Sequence, residues 1–231
     1  MSEFSSPARD AASAAALELI EPGMAIGLGS GRAVWRVVER MAERWPDGAS
    51  VEVVVASERT AEQLRSQLGL EPRELDGDLR LDLVLDGADE VDSQLRLVKG
   101  GGGALLREKI VVSAASRFVV VAETTKRVTR LGEEFRLPVE VVRFAWRDTR
   151  RRLAALLPDS ELRLGEDGEP FVTDEGHLLL DCELAGDADP ERLDHELNRI
   201  PGVVEHGLFV GLTERALLGT AEGGLEVLTN P

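Results

Sequence analysis

One cysteine, three lysines and no apolar run long enough to cross a bilayer mark what this 231-residue chain lacks. Cys182 alone excludes an intramolecular disulfide and a cysteine-rich metal site, which makes the cytoplasm the economical expectation. The opening residues, MSEFSSPARD, do not follow the basic-then-apolar order of a secretory signal. Histidine is scarce too. His177, His195 and His206 have no metal-ligand spacing and no candidate nucleophile beside them, so they read as structural or surface residues. Positive charge is outweighed, and the net charge of −16 opposes binding to a nucleic-acid backbone. A small phosphorylated molecule remains compatible, since it needs only a local basic or amide-lined pocket.

What is present is the composition of an ordinary globular protein, 43% hydrophobic and 30% charged, long enough for one large core or a medium domain plus a small one. The alanine-rich stretch 8–20 predicts a helix stopped by Pro22-Gly23. Met24 to Gly29 predicts a buried strand, and Ser30 is placed to cap a helix whose apolar positions Val34, Val37, Val38 and Met41 recur at helical spacing. Val51 to Ala56, Leu81 to Leu85 and Phe118 to Ala122 read as further strands, with helices over 57–68 and 104–115 between them. Apolar strands alternating with helices indicate a parallel sheet wound on both faces.

Beyond Leu131 the rhythm changes. Leu137 to Ala145, Glu161 to Leu164, Gly176 to Cys182 and Val203 to Val210 read as strands, with helices over 149–157 and 191–200. That β-α-β-β-α-β order is the split βαβ, ferredoxin-like pattern. The expectation is therefore an α/β fold with a Rossmann-like doubly wound sheet over 1–131, completed by 207–231, and a small α+β domain inserted over 132–206. The return to the first sheet is expected through Leu208-Phe209-Val210 and 224–228.

Chemistry concentrates in Asp86 to Lys109, DGADEVDSQLRLVKGGGGALLREK. Asp86 and Asp89 follow a strand's carboxyl end, where open α/β sheets bind ligands. Lys99 precedes four glycines whose bare amides can hold oxyanions or hydroxyls. With 24 arginines in the chain, two of its three lysines, Lys99 and Lys109, fall in this span; the third is Lys126. Where arginine is the default cation, a lysine suits a task needing a compact ammonium. Glu108 stands at the start of the following helix, where a carboxylate facing a closed pocket is a fair general base. The competing reading makes the same span an acidic surface loop and a flexible linker, with Glu108 a solvated helix acid. Four acids, Asp86, Asp89, Glu90 and Asp92, would suit a divalent cation, but the calcium-loop pattern is absent and Lys99 competes for their charge. Earlier in the chain, Gly27-Leu28-Gly29-Ser30-Gly31 forms a strand-to-helix turn suited to an anion. It is neither the dinucleotide fingerprint nor a P-loop.

Together these blocks resemble the type A ribose-5-phosphate isomerases, nearly end to end. The match rests on Gly27 to Gly31, Asp86-Gly87-Ala88-Asp89-Glu90, Lys99-Gly100-Gly101-Gly102 and Arg107-Glu108-Lys109-Ile110, with support from Leu137-Pro138-Val139-Glu140-Val141, Ile200-Pro201-Gly202-Val203-Val204 and Gly207-Leu208-Phe209. The resemblance implies an aldose–ketose isomerase that interconverts ribose 5-phosphate and ribulose 5-phosphate through an enediolate, without metal or organic cofactor, usually as a homo-oligomer and most often a dimer. It makes Glu108 the base, and Asp86, Asp89 and Lys99 the groups that hold sugar oxygens, open the ring and stabilise charge. On the same resemblance, Gly87, Ala88, Gly100, Gly101, Gly102 and Lys126 are expected to line the substrate, and Ser30, Gly31, Arg32 and Ala33 to take its phosphate. The chain departs from the family there, with Ser-Gly-Arg-Ala in place of Thr-Gly-Ser-Thr. Arg32 then either grips phosphate bidentately or points outward. Two alternatives stay open: an isomerase of a related sugar phosphate, and a sugar-phosphate-sensing regulator, which would need neither Glu108 nor Lys99.

Overall fold

The computed structural model describes residues 3–229. The chain begins with α1 (Pro7–Leu17), β1 (Ala25–Leu28), α2 (Arg32–Arg44), β2 (Glu52–Val55), α3 (Glu58–Leu68) and β3 (Leu83–Asp86). Two short strands, β4 (Glu90–Val91) and β5 (Leu97–Val98), precede α4 (Leu105–Ser113), β6 (Phe118–Glu123) and a 3-10 turn, Thr124–Lys126. Then come β7 (Leu137–Val141), α5 (Trp146–Leu153), β8 (Ser160–Leu162), β9 (Leu178–Cys182), α6 (Pro190–Leu197) and β10 (Val203–His206). The last elements are β11 (Leu208–Phe209), β12 (Arg215–Gly219) and β13 (Leu225–Thr229). No helix among the described residues is long and apolar enough to cross a membrane.

The chain divides into two compact units. The first takes the chain up to Ala88, Arg107–Arg127 and the chain from Leu212 on; the second takes Asp89–Leu106 and Val128–Gly211. Against the boundaries read from sequence, 131/132 and 206/207, the divisions lie at 127/128 and 211/212, and 89–106 groups with the second unit.

In the first unit six strands line up as β13-β12-β6-β3-β1-β2, parallel except for β13. Its central strands β1, β3 and β6 are largely apolar because both faces are covered: Ile26, Leu28, Leu83, Leu85, Val119 and Val121 are all fully buried. Helix α2 contributes Val34, Val37, Val38 and Met41, at the predicted spacing, each burial worth about 1.5–3 kcal/mol. Ser6 and Ser57 cap α1 and α3, accepting hydrogen bonds from the N–H groups of Arg9 and Thr60.

The second unit holds an antiparallel sheet in the order β10-β7-β9-β8, the split βαβ arrangement, with α5 and α6 in the crossovers. Its core gathers Leu137, Val139, Val141, Leu153, Leu180 and Leu197. A separate three-stranded sheet, β11-β5-β4, completes it.

Four local expectations change. The strand expected over Leu81 to Leu85 is β3, Leu83–Asp86, so Asp86 is itself a strand residue, while Leu81 makes only an isolated bridge to Ala115. The strand expected over Val203 to Val210 breaks at Gly207, because His206 pairs with Val139 and Leu208 with Val98 of a different sheet. Leu208-Phe209 therefore does not return to the large sheet. Residues Arg215–Gly219, which no expectation covered, make that return as β12. Finally, Ser30 does not cap α2. Gly31 does, at φ +107°, a backbone geometry that a residue with a side chain strains to adopt.

Candidate active site

Because β1, β2, β3, β6 and β12 run parallel, their carboxyl ends share one edge of the first unit's sheet. Asp86 ends β3 there, fully buried, and its Oδ1 accepts hydrogen bonds from the N–H groups of Ser30 (3.1 Å) and Gly87 (2.7 Å). Gly29 makes room for it: a Cβ at that position would lie 1.8 Å from the Asp86 carboxyl. The Ser30 hydroxyl accepts from the Ser57 hydroxyl at 3.1 Å. The first turn of α2 has no side-chain cap and no acid, which leaves its N–H groups suited to an anion. Arg32, the first residue of that turn, is exposed, and its side chain makes no hydrogen bond or ion pair among the described residues. Ala33 follows it half-buried. Gly87 lies beside the ends of β1 and β6, where a Cβ would make ordinary contacts of 3.7 Å with the Ser30 carbonyl oxygen and 3.9 Å with that of Val121. Ala88 is half-buried, and Lys126, also half-buried, closes the 3-10 turn after β6.

Glu108 reaches the same edge from α4. The helix ends beside the start of β3, where the Leu81 N–H donates to the Ala114 carbonyl. Midway, Val111 packs on β1, 2.6 Å from where a Cβ of Gly27 would lie. The first turn of α4 therefore points toward the carboxyl edge. Arg107 confirms that direction with an ion pair, 3.2 Å, to Glu58 at the start of α3. Glu108 sits on this turn with only 5% of its surface exposed.

The remaining residues of the motif belong to the second unit. Asp89 is half-buried and its Oδ2 accepts the Gly101 N–H at 2.7 Å. Lys99 is 2% exposed; its N–H donates to the Gly207 carbonyl, and its ammonium lies 5.4 Å from the centre of the Phe209 ring. Gly100 to Gly103 form a turn closed by the Gly103 N–H donating to the Gly100 carbonyl. Gly101 and Gly102 are exposed. The two other acids of the motif have structural work. Glu90 accepts the N–H groups of Gly132, Glu134 and Phe135 at 2.6–2.8 Å, tying β4 to the turn before β7. Asp92 accepts from the N–H groups of Gln94 and Arg96 and from the Arg96 side chain. Among the described residues no three His, Cys, Asp or Glu side chains are grouped to hold a metal ion.

Of the residues read as structural, His206 is buried, His195 is exposed, and burial pushes the Cys182 thiol up to about 12. His177 holds something unforeseen. Its Nδ1 lies 2.9 Å from Oε1 of Glu140, a buried carboxylate on β7 that also accepts from the Thr173 hydroxyl at 2.9 Å. No spacing in the sequence signals that pair, which depends on β7 and β9 lying side by side.

Buried carboxylates at the carboxyl edge of a parallel sheet are the equipment of an α/β enzyme that moves protons. The family profile of ribose 5-phosphate isomerase A (phosphoriboisomerase A) matches residues 52–223. Ribose-5-phosphate isomerase A of Roseiflexus castenholzii is 50% identical over 92% of this chain and 91% of its own. The structure of ribose 5-phosphate isomerase A from Methanocaldococcus jannaschii aligns with a TM-score of 0.88 at 34% identity, covering 96% of this chain and 97% of that one. A D-ribose-5-phosphate isomerase in complex with phospho-erythronic acid aligns at 0.89, with 31% identity and the same coverage. The chain belongs to the ribose 5-phosphate isomerase A family, and it is an isomerase.

Proposed function

We propose that the protein interconverts D-ribose 5-phosphate and D-ribulose 5-phosphate through an enediolate, the aldose–ketose step of the non-oxidative pentose phosphate pathway. The observation that carries this reading is Glu108, a buried carboxylate held on the first turn of α4 at the edge where Asp86 stands. Glu108 removes the proton from C2 and returns it to C1. A carboxylate suits the task because it must both accept and release the proton in each cycle. Asp86, Asp89 and Lys99 hold the sugar oxygens and assist ring opening, and the Lys99 ammonium offsets charge on the enediolate oxygens. The phosphate is taken by the turn Ser30, Gly31, Arg32 and Ala33 at the start of α2, which no side chain caps, with the Arg32 guanidinium as the cation. Gly87, Ala88, Gly100, Gly101, Gly102 and Lys126 line the sugar. The relative solved with phospho-erythronic acid supports a phosphorylated sugar as the ligand.

No step requires a metal or organic cofactor, because an α-hydroxy carbonyl can pass its proton through one carboxylate. We place the enzyme in the cytoplasm, on its single buried cysteine, and read it as a homodimer. The test is turnover of ribose 5-phosphate to ribulose 5-phosphate in excess EDTA. Undiminished conversion is expected. Absence of conversion with or without chelator overturns the reading, and loss only in EDTA assigns the chemistry to a metal.

A further inference from the structure

The glycine turn after Lys99 is held from two directions. Arg163 follows β8, and its N–H donates to the Leu179 carbonyl of β9. Its guanidinium pairs with Asp181 on β9, Nε to Oδ2 at 2.9 Å and Nη2 to Oδ1, a bidentate grip that leaves Nη1 aimed. Nη1 donates to the carbonyl oxygens of Gly100 (2.8 Å) and Gly101 (3.1 Å). The Gly100 carbonyl and the Gly101 N–H belong to one planar peptide group. That N–H is the one bound by Asp89 at 2.7 Å. A single rigid plane therefore carries Arg163 at its oxygen and Asp89 at its nitrogen. Only 13% of the Arg163 side chain is exposed, and Phe171 lies alongside at 6.0 Å from the guanidinium carbon.

We propose that Arg163 is a positioning residue for the isomerisation: through the Gly100–Gly101 peptide it fixes the direction in which the Asp89 carboxylate faces the sugar. Arg163 touches no reacting atom. This rests on the proposed function, in which Asp89 handles the sugar oxygens. With Arg163 absent only the Gly103 N–H remains on the Gly100 carbonyl, the peptide is held less tightly, and Asp89 loses a firmly fixed partner. Small misplacements of this kind cost up to about 100-fold in rate while binding is little altered. Lysine is no substitute, since it lacks the fork that spans Asp181 and two carbonyls.

The decisive measurement is a double-mutant cycle with Arg163→Ala and Asp89→Ala, each assayed for kcat and KM with ribose 5-phosphate. Arg163→Ala is expected to lower kcat about 10- to 100-fold with KM within about 3-fold. In the Asp89→Ala background the same change is expected to cost less than about 3-fold, because the group it positions is gone. Arg163→Lys is expected to show the same coupling at nearly wild-type melting temperature, and it replaces Arg163→Ala in the cycle if that variant does not fold. Multiplicative losses across the cycle, or a loss confined to KM, overturn the proposal. Wild-type protein without activity would instead overturn the functional reading on which it stands.

Discussion

Glu108 is buried at the start of a helix whose next turn packs on β1, so its carboxyl has a fixed position rather than a solvated one. Glu108→Gln keeps the shape and removes the capacity to accept a proton. The expected outcome is a fall in kcat of about 10²–10⁴-fold, the scale of general-base catalysis, with little change in KM or melting temperature. Stopped-flow or coupled kinetics alongside circular-dichroism melts check this. Near-normal turnover would move the base to Asp86 or Asp89. The acids of the motif also show where reading residues one at a time stops. Asp86 was legible as a strand-end carboxylate. That Glu90 is spent on three amides was not, because those amides belong to a turn more than forty residues further along the chain. Arg163 was invisible for the same reason, since its partners Gly100, Gly101 and Asp181 meet it only after the second unit has folded.

At the scale of elements, long apolar strands flanked by good helices declared themselves: β1, β3 and β6 and the apolar face of α2 lie where periodicity put them, within a residue or two. Short strands did not. β4 and β5 have two residues each, too few for alternation to register, and β12 hides in a run, Arg215–Gly219, that follows directly on a loop. β7 carries a feature with a consequence for stability. Glu140 is buried there beside Thr173 and His177, and burial raises its pKa above the usual carboxylate range. A raised value in the folded state means full stability below the unfolded value of about 4.3 and a loss as pH climbs through the folded one. Glu140→Gln preserves volume and never ionises. The melting temperature of this variant minus that of the wild type is therefore expected to grow from pH 4 to pH 7. A difference that stays flat or shrinks over that range would show that the native carboxylate ionises without penalty.

For the whole molecule, the net charge of −16 keeps the surface acidic while the proposed substrate is itself an anion. Capture therefore depends on local amides and cations rather than on long-range attraction. Phe144 is left 87% exposed, the kind of side chain that the proposed homodimer would cover. Light scattering at micromolar concentration is expected to return about 50 kDa, twice the 25.1 kDa of one chain. A value near 25 kDa would contradict the dimer.

The chain passes between its two units at Ala88, Leu106, Arg127 and Gly211, and this threading sets a timetable for biosynthesis. Strand β6 leaves the ribosome early, but its neighbour β12 follows only after residues 128–211 have been made. At about 5–20 residues per second, one edge of β6 waits on the order of ten seconds for its partner. During that interval its open backbone is a template for the wrong strand. The second unit, by contrast, has all its strands before the first is finished. In the nascent protein the strands of the second unit are thus complete before those of the first, and Arg215–Gly219 adds the missing neighbour of β6 to the sheet on which Asp86 and Glu108 depend.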